Sequence, residues 1–148
     1  MKILIIKMTS MGDLIHAFPA LTDAAQAHKA IRFDWLVDNA FKDIPKWHPL
    51  VDKVIPVSLR EWKKNPLSAL TSGAIKKSVR LLRQEKYDLI IDAQGLLKSN
   101  ILSLIAKGKR CGFDKNSARE SWTHFIYHKT ATVDRQQHAV TRLRFCDK

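Results

Sequence analysis

At 148 residues the chain fits one domain, and 45% hydrophobic with 27% charged residues excludes a disordered, collagen-like or low-complexity protein. Lys and Arg number 26 against 14 Asp and Glu, a net +12, and the excess is lopsided: residues 1–59 carry net +1 and residues 60–148 net +11. Such asymmetry calls for an anionic partner of the second part, whether nucleic acid, a phosphorylated ligand or a membrane surface.

In chain order, Ile3–Ile6 is a continuous β-favouring apolar run, the pattern of a strand buried on both faces. It is too short for a secretory signal and runs into Lys7, and no stretch approaches the ~20 apolar residues of a spanning helix. The expectation is a cytoplasmic chain, at most peripheral to a membrane. From Leu14 to about His28, helical spacing puts Leu14, Ala17, Phe18, Leu21 and Ala25 on one face. Pro19 inside that stretch predicts either a kink or a helix that starts only there. Ile31–Val37 reads as a second strand, Phe41–Trp47 as a short helix and Val54–Val57 as a third strand. A polar segment, Ser58–Ser72, leads into a basic amphipathic helix over Gly73–Lys86. Tyr87–Asp92 is the clearest later strand, followed by the turn Ala93-Gln94-Gly95, a helix over Leu96–Ala106, a short strand Arg110–Phe113 and a helix from about Gln136 to Phe145. Strands alternating with helices predict an α/β fold with a mainly parallel sheet. Ligands of such sheets sit at the carboxyl ends of the strands, which directs attention to the loops after Lys7 and after Asp92.

The first loop, Thr9-Ser10-Met11-Gly12-Asp13, joins a buried strand to a helix, so its backbone N–H groups can face an anion. Gly12 lets a ligand or a tight turn come close. Asp13 is either a helix cap or a general base within reach of a bound hydroxyl. The Gly and Lys spacings of a phosphate-cradling loop or a dinucleotide fingerprint are absent, which argues against a kinase or a dehydrogenase. His16, one turn from Asp13, is a further candidate for lining this loop, or packs. In the second loop, Asp92-Ala93-Gln94-Gly95-Leu96-Leu97-Lys98-Ser99, Gln94 and Lys98 can bind an anionic or hydroxylated ligand. The alternative is an Asp-led turn with Lys98 on a solvated helix face. Arg60, Lys63 and Lys64 surround Trp62, which can stack on a sugar or simply pack, and further basic residues include Lys76, Lys77, Arg80, Arg83 and Arg119. Cys111 and Cys146 fit no metal spacing and the six histidines show none, so no metal is expected and the thiols point to a reducing compartment.

Taken together, Met1–Lys7, Thr9–His16, Pro19–Ala24, Phe33–Val37, Ile44–His48, Val54–Val57, Tyr87-Asp88, Ile91–Ser99, Ala118-Arg119-Glu120 and Gln136–Val140 resemble the lipopolysaccharide heptosyltransferase I family, within glycosyltransferase family 9. The resemblance implies a Rossmann-like domain of a GT-B glycosyltransferase, in which two such domains face each other across a cleft. It implies inverting transfer of heptose from ADP-L-glycero-D-manno-heptose to the first Kdo of Kdo2-lipid A, at the cytoplasmic face of the bacterial inner membrane, with no cofactor. It gives Asp13 the role of general base, and makes Ser10, Gly12, Arg60, Lys64, Gln94, Lys98 and Arg119 candidate acceptor-binding residues. Family members run to roughly twice this length, in line with two domains of ordinary size. Residues 1–148 are therefore expected to be the N-terminal acceptor-binding domain, without the C-terminal donor-binding domain, and to bind acceptor weakly without turning over. Two other readings compete: a heptosyltransferase acting later in the inner core, separable by acceptor competition, and a basic nucleic-acid module or a non-catalytic remnant. A nucleic-acid module requires aromatic platforms among the basic residues, and only Trp62 sits in a basic cluster. The expected partners are therefore ADP-heptose, Kdo2-lipid A and the membrane face, not nucleic acid.

Overall fold

The computed structural model describes residues 1–94, 96–113 and 129–131. The apolar run at the start becomes strand β1 (Lys2–Ile6), followed by helix α1 (Met11–Ala27), β2 (Arg32–Asp38) and β3 (Val51–Val57). Three helices follow, α2 (Leu59–Lys64), α3 (Pro66–Thr71) and α4 (Ala74–Arg83), then β4 (Lys86–Asp92), α5 (Leu97–Ile105), β5 (Lys107–Phe113) and β6 (Lys129–Ala131). All five pairings are parallel, and the six strands lie in the order β3-β2-β1-β4-β5-β6. That is the Rossmann order, in which the chain winds one way from β1 and then the other, leaving a crevice between β1 and β4 where the direction reverses. The α/β expectation is met.

Apolar side chains alternate between the two faces because both are covered. Ile3, Ile5, Phe33, Trp35 and Val37 pack on Leu14, Ala17, Leu21 and Ala24 of α1. Leu4, Ile6, Leu36, Ile55 and Ile90 pack on the other side with Leu82 of α4 and Leu102 of α5. At the amino ends of the strands this second face carries charge. Asp34 is fully buried, with the Tyr87 hydroxyl donating to it at 2.8 Å and the Lys2 and Lys53 ammoniums at 3.0 and 3.6 Å. Lys2 also reaches Asp52, which Arg32 clasps through its guanidinium. That guanidinium, with Lys2 beside it, holds the Asp52 carboxyl down at about 2.

Several elements depart from the sequence expectation. Helix α1 starts at Met11 and runs through Pro19, which lies on its exposed face and has no N–H to give the Ile15 carbonyl. The Phe41–Trp47 helix is replaced by two 3₁₀ turns, Asn39–Phe41 and Pro45–Trp47. Asp38 caps the first through the Ala40 N–H at 2.9 Å, and Pro45 has no N–H to extend a helix. The polar segment Ser58–Ser72 contains α2 and α3, too short and too exposed to show an apolar stripe. Strand β5 begins earlier than expected, at Lys107, where Gly108 passes so close to the Tyr87 carbonyl that any side chain would collide with it. Strand β6 was not anticipated. The helix expected over Gln136–Phe145 lies outside the described residues.

His48 offers a test of this packing. Its Nδ1 accepts the Leu50 N–H at 3.3 Å, so Nε2 carries the proton and faces the Thr22 hydroxyl at 3.1 Å. Burial holds the imidazole below its ordinary value, because charging it in the fold is costly. The unfolded chain binds that proton more readily, so stability is full above about pH 6.5 and declines below it. Urea unfolding at pH 7.5 and 5.5 checks this: the decline is expected to shrink in His48→Asn, and an unchanged decline contradicts it.

Candidate active site

The loop from Lys7 to Ser10 leaves β1 at the crevice, and its polar groups are tied on all sides. The Lys7 N–H donates to the Leu36 carbonyl at 3.2 Å, and the Trp35 indole N–H donates to the Lys7 carbonyl at 3.0 Å. The Asp38 N–H donates to the Met8 carbonyl at 3.1 Å. From the other side of the crevice, Gln94 contributes both ends of its amide. Its Oε1 accepts the Met8 N–H at 3.3 Å and its Nε2 donates to Thr9 Oγ1 at 3.4 Å. Meanwhile the Ala93 N–H continues the ladder onto the Ile6 carbonyl at 3.0 Å.

Ser10 is the N-cap of α1 and Asp13 its third residue. One carboxylate oxygen, Asp13 Oδ2, accepts both the Ser10 N–H and the Ser10 hydroxyl, each at 3.2 Å. This is half of a capping box, and the capping alternative for Asp13 is realised. It leaves Oδ1 for another proton. Partial burial pushes the Asp13 carboxyl up, but the Ser10 N–H, the Lys7 charge, the Ser10 hydroxyl and His16 together hold it below the ordinary carboxylate value. Asp13 is thus ionised at neutral pH at the positive end of a 17-residue helix. Gly12 lies exposed in the first turn, and a side chain there would meet nothing within 4 Å. The described packing therefore does not demand a glycine, although the residue weakens a helix by roughly 0.5–1 kcal/mol relative to alanine.

Two cavities open at this end of the sheet, one of them on this loop. One, of about 500 Å³, is lined by Thr9 and Ser10 together with Asp38, Asn39, Ala40, Phe41, Ser58, Arg60 and Glu61. The other, of about 440 Å³, is lined by Leu59, Arg60, Lys63, Lys98, Ile101 and Leu102, so three cations stand over an apolar floor with no acid among them. Arg60 belongs to both. The second cavity suits anionic groups of a ligand; Asp13 lines neither cavity itself and adjoins the first through Ser10. Among the described residues no three of His, Cys, Asp and Glu gather as a metal site.

Of the residues singled out in the sequence, Ser10, Asp13, Arg60 and Lys98 come together at this end of the sheet. Lys64 is exposed and lines neither cavity; its neighbour Lys63 does. Gln94 is buried, its amide spent on the first loop. Its own N–H donates to Asp92 Oδ1 at 2.9 Å, the Asp-led turn of the alternative reading. His16 is exposed on α1, close enough for its charge to be felt at Asp13. Arg119 lies outside the described residues. Asp38, Asn39 and Ser58 were missed, although Asp38 closes β2 and Ser58 follows β3, and strand carboxyl ends are where such folds place their sites.

Residues 75–146 match the sequence pattern of glycosyltransferase family 9 (heptosyltransferase). The lipopolysaccharide heptosyltransferase 1 proteins of Pseudomonas aeruginosa and Escherichia coli K12 are each 46% identical to this chain over 145 residues, 97% of its length. The chain is similar to these heptosyltransferases. It spans 41% and 46% of those two relatives, somewhat under half of each. In three dimensions the heptosyltransferase WaaC of E. coli, solved with ADP, matches 99% of this chain and 46% of its own with a TM-score of 0.94 at 44% identity. The same enzyme has been solved with ADP-2-deoxy-2-fluoro heptose, and matches with a TM-score of 0.93.

Proposed function

We propose that this chain is the acceptor-side domain of a lipopolysaccharide heptosyltransferase 1, a two-domain GT-B enzyme. It transfers L-glycero-D-manno-heptose from the ADP-activated sugar to the first Kdo of Kdo2-lipid A, at the cytoplasmic face of the inner membrane. The observation that carries the reading is Asp13 held by Ser10, which itself lines a cavity together with Arg60, in a chain so similar to enzymes of that name. Asp13 takes the proton of the acceptor hydroxyl as that oxygen bonds to the anomeric carbon and the bond to ADP breaks, which inverts the centre. Arg60, Lys63 and Lys98 hold the carboxylates and phosphates of the acceptor, and the apolar floor of their cavity accepts its less polar surface.

Joining residues 1–148 to the donor-binding part of the E. coli relative and following ADP release tests the reading. Turnover is expected with Kdo2-lipid A and none with lipid A lacking Kdo. Turnover only on an acceptor that already carries heptose would replace the reading with that of a later inner-core enzyme.

A further inference from the structure

We infer that Gln94 is a positioning residue for Asp13, acting through the loop between them rather than on the acceptor. The inference rests on the reading of Asp13 as the base. Gln94 has lost nearly all of its exposure, so its amide has little surface left for a ligand. Both amide ends are instead committed to the loop that carries Ser10, Oε1 to the Met8 N–H and Nε2 to Thr9 Oγ1. Ser10 in turn fixes Asp13 Oδ2 through its N–H and its hydroxyl.

Gln94 is itself anchored. Its N–H donates to Asp92 Oδ1, and Ser99 of α5 donates to Asp92 Oδ2 at 2.7 Å while accepting the Leu96 N–H at 3.1 Å. Asp92 and Ser99 are both buried. Hydrogen bonds, linked through the backbone of residues 8–10, therefore run from the start of α5, across the crevice between β4 and β1, to the start of α1. Buried polar chains of this kind fix geometry only when every member is satisfied. Removing Gln94 leaves the Met8 N–H and Thr9 without their partner, and the first turn of α1 loses its register against the crevice. Misplacing a reacting group by about 1 Å costs up to ~100-fold in rate.

The test uses Gln94→Leu and the gentler Thr9→Val, which removes only the acceptor of Gln94 Nε2. In the joined enzyme, Gln94→Leu is expected to lower kcat roughly tenfold or more with the acceptor KM within about twofold of the parent. Thr9→Val is expected to lower kcat less, and the double variant no further than Gln94→Leu alone, because both cut one path. A raised acceptor KM at unchanged kcat, or additive losses, overturns the inference. A second readout does not depend on activity: the Asp13 carboxyl of the 148-residue chain followed by carbon NMR against pH. Its titration is expected to move up towards the ordinary carboxylate value in Gln94→Leu as the Ser10 contacts loosen. An unmoved titration overturns the inference. If the parent enzyme shows no turnover, the heptosyltransferase reading fails, and the titration alone decides the role of Gln94.

Discussion

Asp13→Asn is expected to lower kcat of the joined enzyme by about 10²–10⁴, the range a positioned general base supplies. Asparagine keeps the shape, and its amide oxygen can still accept from Ser10, so the start of α1 survives. A loss of ~1 kcal/mol or less is expected, about 2–4 °C in melting temperature for a chain of this size. Separating the two effects matters because Asp13 caps the helix as well as facing the crevice. A kcat kept within tenfold of the parent would reduce Asp13 to a cap. The low position of its carboxyl adds a pH expectation: the acid limb of kcat/KM lies below the ordinary carboxylate value, and turnover is insensitive to that group down through pH 5.

Asp34→Ala is expected to destabilise the chain by about 3–5 kcal/mol, the usual consequence of deleting one member of a buried ionic set. Asp34 is the common partner of Tyr87, Lys2 and Lys53, and its removal leaves a buried phenol and two half-buried ammoniums facing one another. Burial already pushes the Tyr87 hydroxyl up, and Asp34 adds to it, so the phenol stays protonated and remains a donor. Tyr87→Phe removes one donor only and is expected to cost about 1–3 kcal/mol. Urea denaturation of the two variants checks the ranking. A loss under ~1 kcal/mol for Asp34→Ala would mean that Lys2 and Lys53 find equivalent partners in Asp52 and Glu85, which they already approach.

The two strands flanking the crevice were legible because burial on both faces forces continuous apolar runs, and Ile3–Ile6 and Leu89–Ile91 are such runs. Asp13 was legible from its place after the first of them. What periodicity does not encode is which strands lie side by side. That β1 and β4 adjoin, and that Gln94 therefore turns inward to the first loop, follows from the strand order alone. The choice between Lys63 and Lys64 was illegible for a different reason. Neighbours on a helix point about 100° apart, and α2 is too short to announce which way it faces. The polar residues after β2 and β3 were hidden by their ordinariness, since Asp38 and Ser58 read as turn residues wherever they occur.

The separation along the chain of the two loops at the crevice bears on how the protein folds. Ile3 pairs with Leu89, and Met8 is joined to Gln94, each across 86 positions. Closing a loop of that length costs entropy before the contacts that reward it exist. The β1–β2 pairing can form early, but Asp13 gains its final surroundings only once the chain has been made as far as β4 and α5. On the ribosome, the first forty residues would emerge with their apolar edge at β1 unsatisfied until the second half arrives. Holding that edge soluble in the interval is a task for chaperones, and slower synthesis between β3 and β4 would lengthen the period of risk.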